Sequence, residues 1–291
     1  MQAIEQYFTP GTLAEAAQLL DNYQGKATML AGGTDLMPQM KAGVKTIAAN
    51  FINISRIAEL NGISVVEDKI RIGALTTITA IQESALIKQH ASVLSDTANA
   101  FASGQIRNSA TVGGNLCNAS PAGDICIPLL VLDAEVELSS FSDGKLSTRR
   151  LALKDFFISP GRSQCQTNEI LSFVEFTIDP QGIGFFEKFG TRPALDISIV
   201  SIGFHASNAN EQLSNVRISL GAVGPTPLRA FATEKALENV KLKELTPAFI
   251  TSVEAIIAGE ITPITDVRAS AWYRKELVSK LLKRILNYVA S

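Results

Sequence analysis

Cysteine, histidine and net charge are all scarce in this 291-residue chain, and each scarcity closes off a class of function. Cysteine occurs three times, as Cys117, Cys126 and Cys165, with no Cys-x-x-Cys pair. An odd count without that spacing supports neither a disulfide framework nor a zinc ribbon. An iron–sulfur cluster needs about four thiolates, so this chain cannot hold one. The three cysteines read as small, partly buried apolar side chains. His90 and His205 are too few to build an imidazole metal site. A formal net charge of −2 creates no basic field for nucleic acid. Long apolar runs are missing as well: nothing approaches the roughly 18 residues that span a bilayer. The opening residues, MQAIEQYFTPGTLAEAAQ, lack the basic start and apolar stretch of a signal peptide. The expectation is a soluble, cytoplasmic protein, large enough for two domains or subdomains.

The pattern of apolar residues organises the chain. Leu13, Ala16, Ala17, Leu19 and Leu20 recur at helical spacing over 12–23, with Thr12 and Glu15 resembling a capping box. ATMLA (27–31) reads as a buried strand ending in Gly32-Gly33, and MPQMKAG as a short helix closed by Gly43. Strands are expected at 46–55, 62–68 and 69–77, then helices near 79–87 and 92–102. The stretch ATVGGNLCNASPAGD reads as a loop, with Asp124 placed to cap a helix through ICIPLLVLD. AEVELSS (134–140) is the next strand and SDGKLST a hairpin signal. Composition changes at IDPQGIG (178–184), beyond which antiparallel strands and helices follow. The last helix, 268–289, carries an apolar stripe through Leu277, Val278, Leu281, Leu282, Ile285, Leu286 and Val289. Arg274, Lys275, Lys283 and Arg284 lie off that stripe, where a solvated face is expected.

Two diglycines stand out. Gly32-Gly33 is followed by Thr34 and Asp35, and Gly113-Gly114 by Asn115 and Asn118, with Asp124 beyond. Backbone amides in a tight turn can nest a pyrophosphate, and glycine lets the chain reach the required angles. There is no P-loop and no Gly-x-Gly-x-x-Gly after a strand, which argues against the common nucleotide folds. Asn and Asp side chains can also serve their own turns by local hydrogen bonds.

These segments resemble the paired FAD-binding loops of the flavin subunit of molybdenum hydroxylases: the xanthine, carbon monoxide and aromatic-acid dehydrogenase group. The similarity runs through AGGTDLMPQMK, FASGQIRNSATVGGNLCNASPAGD, KFGTRPALDISIVS, GAVGPTPLRA and ASAWYRKELVSKLLKRIL. It implies an α+β chain: a two-subdomain FAD-binding fold of the vanillyl-alcohol oxidase type over 1–177 (subdomains about 1–57 and 58–177) and an α+β C-terminal domain over 178–291. The implied first loop is Met29, Leu30, Ala31, Gly32, Gly33, Thr34, Asp35 and Leu36. The second loop contributes Phe101, Ala102, Ile106, Ala110, Thr111, Gly114, Asn115, Cys117 and Asn118, with Gly123 beside them. Asp124 would hold a polar part of FAD, Ile170 and Leu171 would pack beside its ring, and Lys188 would lie near the ring. A cation there would favour the anionic reduced ring; a solvated lysine is the alternative. Arg192 is equally open, and Asp196 could pair with it or cap a turn.

The resemblance also implies partners: a large molybdopterin subunit and a small iron–sulfur subunit, assembled as a dimer of heterotrimers. An external acceptor (NAD, quinone or carrier protein) would take the electrons. No catalytic acid or base is expected on this chain. A stand-alone FAD oxidoreductase acting directly on a small substrate is the competing reading.

Overall fold

The computed structural model describes residues 4–44, 47–192 and 195–291. Strands β1 (Gln6–Phe8), β2 (Ala27–Leu30) and β3 (Asn50–Asn53) form a parallel sheet in the order β1-β3-β2. Helix α1 (Leu13–Tyr23) crosses from β1 to β2, on the far side of β3, burying Leu13, Ala16, Ala17 and Leu20 against Ile52, Ile54 and Ile57. The Thr12 hydroxyl accepts the Glu15 amide at 3.2 Å, while the Glu15 carboxylate accepts from Gly11, one residue before a capping box would place it. Helix α2 (Leu36–Ala42) closes at Gly43, in the left-handed conformation that glycine tolerates. The strand expected over 46–55 contracts to β3, and its first residue, Thr46, lies outside the described residues.

β4 (Ile63–Val66) and β5 (Lys69–Gly73) open a five-stranded antiparallel sheet. Six short helices follow: α3 (Ile78–Glu83), α4 (Ala85–His90), α5 (Ser92–Ala100), α6 (Gly104–Arg107), α7 (Val112–Asn118) and α8 (Cys126–Val131). The helix expected over 79–87 breaks at Ser84, whose hydroxyl caps α4 by accepting the Ile87 amide at 3.3 Å. β6 (Glu135–Ser142) and β7 (Lys145–Ala152) form the signalled hairpin, and a minor hairpin of β8 (Phe157–Ser159) and β9 (Arg162–Ser163) precedes β10 (Glu169–Thr177). The sheet order is β4-β5-β10-β6-β7.

After the turn at 178–181 the chain forms a second antiparallel sheet of β11 (Gly182–Phe189), β12 (Val200–Ala209), β13 (Gln212–Gly221) and β14 (Leu228–Arg229). Helices α9 (Phe231–Leu237), α10 (Pro247–Gly259) and α11 (Ala271–Ala290) complete it. The expected stripe of α11 is its core face, but Arg274 departs from the solvated face. It is 2% exposed, and its guanidinium donates to the carbonyls of Ile199 and Ala222 and to Asp266. Three acceptors offset the cost of burying the charge.

The two halves interlock through α8, all six of whose residues are buried. Ile127 presses on Gly203 and Gly221 of the C-terminal sheet: a Cβ at Gly203 would stand 2.9 Å from Ile127 Cγ2. The Ser219 hydroxyl donates to the Ile127 carbonyl at 2.7 Å, and the Ala222 amide to that of Pro121 at 2.7 Å.

A second junction, between α4–α5 and β11–β12, encloses a polar cavity of about 290 Å³ lined in part by His90, Ser92, Asp179 and His205. His205 is 5% exposed, its Nε2 4.0 Å from Asp179 Oδ2, and its pKa is pushed down to about 4, first by burial and then by the Arg217 charge. The unfolded chain, with His205 near 6.5, binds a proton that the folded chain refuses. This contribution to stability is therefore complete above pH 6.5 and declines as the pH falls toward 4. The loss should be on the order of 3 kcal/mol, and His205→Gln should flatten melting temperature against pH across that window.

Candidate functional site

The end of β2 and the turn before α7 meet because Gly32 has no side chain. A Cβ there would overlap the Ser109 carbonyl oxygen, and Gly33 (φ +70°) turns the chain away toward α2. The two segments thus form one wall of a cavity of about 650 Å³, within the usual range for a small-molecule or cofactor site. Its floor comes from the junction of the first two sheets, where Leu75 and Ile170 join the core of the N-terminal sheet.

Every residue of the first expected loop, Met29 to Leu36, lines this cavity. So do Phe101, Ala102, Ile106, Ala110 and Thr111, then Gly114, Asn115, Cys117 and Asn118, and finally Gly123, Asp124, Ile170 and Leu171. Lys188 does not line it. Sequence reasoning missed Gln39, Ile54, Ala74, Leu75, Ser120, Ala122, Asp196 and Ile197 as lining residues, while Gly113, named with the second diglycine, also lines the cavity. Most of these had no legible signal, being strand ends and helix flanks that reach the cavity only through tertiary packing.

The diglycines play different parts. The amides of Gly32, Gly33, Thr34, Asp35 and Leu36 donate to no described residue, and neither does the Thr34 hydroxyl. The second diglycine is not a loop: it opens helix α7. Its amides are engaged, Gly113 with the Ala74 carbonyl at 2.8 Å, Gly114 with the Thr111 hydroxyl at 3.1 Å and Asn115 with the Thr111 carbonyl at 3.0 Å. Thr111 is the N-cap, and its backbone bridge to Thr77 holds the helix start against β5's continuation. Gly113 serves close packing instead, since a Cβ there would lie 2.6 Å from that of Ala74. The polar groups this helix does offer are the Asn115 and Asn118 carboxamides, neither of which donates to a described residue.

Asp124 also departs from expectation. It caps no helix: the N-cap of α8 is Ile125, without a side-chain bond. Its carboxylate, 7% exposed, accepts from Lys188 Nζ at 2.9 Å and from Ser198 Oγ at 2.6 Å, both from the C-terminal part of the chain. The ammonium and the hydroxyl together offset the cost of burying this carboxylate. Lys188 also donates to the Asp196 carbonyl at 3.4 Å. Asp196 accepts from the Thr191 hydroxyl at 2.6 Å and the Arg192 amide at 3.0 Å, which holds its pKa down to about 2. Arg192 itself is peripheral, 3.8 Å from that carboxylate.

The cavity has chemistry suited to a long, polar, phosphate-bearing ligand: unengaged amides at one end, carboxamides along one wall and apolar Ile170 and Leu171 at the floor. No described helix is long and apolar enough to cross a membrane.

Residues 2–176 match the family described as FAD binding domain in molybdopterin dehydrogenase, and residues 185–289 that described as CO dehydrogenase flavoprotein C-terminal domain. The xanthine dehydrogenase FAD-binding subunit of Escherichia coli O157:H7 is 32% identical, over 97% of this chain and 94% of its own. The nicotinate dehydrogenase FAD-subunit of Eubacterium barkeri is 31% identical over 96% and 94%. Among solved structures, a carbon monoxide dehydrogenase from Hydrogenophaga pseudoflava that lacks the Mo-pyranopterin moiety superposes with a TM-score of 0.91 at 26% identity, covering 97% of this chain and 96% of that one. The architecture is accordingly α+β, an FAD-binding fold followed by a C-terminal sheet-and-helix domain. With both parts matched in order over nearly its full length, the chain belongs to the FAD-binding family of the molybdopterin dehydrogenases.

Proposed function

We propose that this chain is the FAD-carrying electron-transfer subunit of a multi-subunit molybdenum hydroxylase or dehydrogenase. It would take electrons from iron–sulfur clusters of a small partner subunit and pass them to an external acceptor, while hydroxylation proceeds on a separate molybdopterin subunit. A dimer of such heterotrimers in the cytoplasm is the assembly we infer, with the domain boundary of this chain at 177/178. The observation that carries the reading is the row of unengaged amides from Gly32 to Leu36 at the edge of the shared cavity. Such a nest stabilises a diphosphate without a lysine or a metal.

Bound FAD supplies the chemistry that accepts electrons singly and releases them singly or in pairs. The chain's own residues position and insulate it. Thr34 and the amides around it hold the phosphates, and the Asn115 and Asn118 carboxamides add donors along the wall. Asp124 retains acceptor capacity for a cofactor hydroxyl, while Ile170 and Leu171 keep water from one side of the ring. Lys188 lies outside the cavity lining and is paired with Asp124, so it would offer a bound ring no bare cation, and its main part is to fix that carboxylate.

The test is the colour and reactivity of the purified chain. One FAD per chain is expected, bleached by a chemical reductant but not by hydroxylatable substrates unless the partner subunits are added. A colourless chain that takes up no FAD on reconstitution overturns the cofactor assignment. Substrate turnover by the chain alone overturns the subunit assignment and favours a stand-alone oxidoreductase.

A further inference from the structure

The second diglycine spends its amides within the fold, so further backbone donors to a ligand in this cavity must come from elsewhere. The segment between α5 and α6 supplies candidates. Phe101 and Ala102 line the cavity, and the amides of Ala102 and Ser103 donate to no described residue. The backbone here is unusual for its sequence. Phe101 is extended (φ −79°, ψ 123°) and Ala102 follows at φ +34°. That succession is a type II bend over 100–103, which ordinarily carries glycine or asparagine at its third position. Alanine there sits in the left-handed region, at a cost that its surroundings must offset.

Arg107 provides the offset. Its Nη1 donates to the Phe101 carbonyl at 2.7 Å and to the Ala102 carbonyl at 3.1 Å. A type I bend, which alanine adopts without strain, differs from type II mainly by a half-turn of the central peptide. That half-turn would swing the Phe101 carbonyl away from the guanidinium and bring the Ala102 amide toward it, donor against donor. A peptide unit is planar and trans, so a carbonyl held toward Arg107 sends the amide of the next residue the other way. One guanidinium thereby orients two consecutive peptides, with the Ala102 and Ser103 amides facing away from it. Helix α6 is what returns Arg107 to this bend. The Ser103 hydroxyl accepts the Ile106 amide at 3.3 Å, and the Arg107 amide donates to the Ser103 carbonyl at 2.9 Å. The far end is pinned too: the Ala110 amide donates to the Ile106 carbonyl at 2.7 Å, and the Ala110 carbonyl accepts from Ile78 at 3.0 Å.

We propose that Arg107 is a positioning residue for the cofactor, selecting the type II form of the 100–103 bend so that the Ala102 amide donates to an acceptor atom of the bound flavin nucleotide. Arg107 itself does not line the cavity, so its effect passes entirely through the peptides it holds. The inference rests on the flavin reading and deepens it by giving the strained alanine a purpose.

The experiment is FAD titration of the full chain freed of flavin, followed by fluorescence, in the parent, in Arg107→Met and in Arg107→Met combined with Ala102→Gly. Arg107→Met should weaken FAD binding about tenfold, the worth of one hydrogen bond. Adding Ala102→Gly should recover at least about threefold in affinity, because glycine enters the left-handed region without strain. A loss that merely reflects looser packing is not repaired this way, since the second substitution adds no contact. In the unmodified chain, exchange of the Ala102 amide followed by NMR should slow at least about tenfold when FAD binds. This measurement needs no variant and decides the matter even if Arg107→Met does not fold. The inference is overturned if Arg107→Met binds FAD like the parent, if Ala102→Gly recovers nothing, or if the Ala102 amide exchanges equally fast with and without FAD. A parent chain that takes up no FAD overturns the flavin reading as well, whereas a parent that binds FAD and gives any of those three results defeats this inference alone.

Discussion

Asp124→Ala should destabilise the protein by about 3–5 kcal/mol and empty the cavity of flavin. The side chains of Asp124 and Lys188 are 9% and 13% exposed, so removing the carboxylate strands an ammonium where water hardly reaches. It also strands the Ser198 hydroxyl, whose residue is 1% exposed. Because the partners come from strand β11 and the 189–199 segment, the damage should spread from the cavity to the contact between the two halves of the chain. A fall in melting temperature of roughly 10 °C is expected for a chain of this size, together with a reduced flavin-to-protein absorbance ratio. Asp124→Asn keeps an acceptor for Ser198 and should cost less. Combining Asp124→Ala with Lys188→Met should recover part of the stability, since no charge is then left unpaired. If the alanine variant melts like the parent and stays yellow, the ion pair does not hold the site.

Gly32→Ala should be nearly as damaging, by a different route. The added methyl has no flexible side chain to displace; it meets the Ser109 carbonyl, so the two backbone segments must part. Overpacking costs about 1–3 kcal/mol and more where backbone must move, and the separation would open the wall that aligns the unengaged amides. Flavin should be lost at concentrations that saturate the parent. Gly43→Ala is a useful contrast: it meets no neighbour within 4 Å and suffers only the strain of its left-handed backbone, so flavin content should hold. Equal flavin loss in both variants would show that general destabilisation, not the close approach at Gly32, empties the site.

Much of this architecture can be read from residue order. The spacing of Leu13, Ala16, Ala17 and Leu20 encodes α1, because a helix this short forms only with its apolar face covered. Gly43 ends α2 by conformational necessity. The cavity wall around Gly32 is less legible, since a glycine pair after a buried strand is more often only a tight turn, and it is the resemblance of the surrounding segments that marks it as a cofactor loop. The second diglycine misled, because its sequence is compatible with either a loop or a helix start. Thr77 and Ala74, distant in sequence, decide between them by pairing with Thr111 and Gly113. Asp124 misled for a related reason: an aspartate before an apolar run looks like a cap until Lys188 and Ser198 fold over it. Arg274 offered no hint of burial, its three acceptors coming from separate segments. What the sequence conceals in each case is a tertiary partner that outbids a local one.

The lodging of Ile127 between Gly203 and Gly221 bears on how such proteins can be recombined. A chimera joining the front part of this chain to the rear part of a relative would meet a bulkier pair of residues opposite that isoleucine unless the donor also carried glycines there. The two halves must therefore be inherited as a matched set, even though the chain between β10 and β11 looks like an easy place to cut and splice.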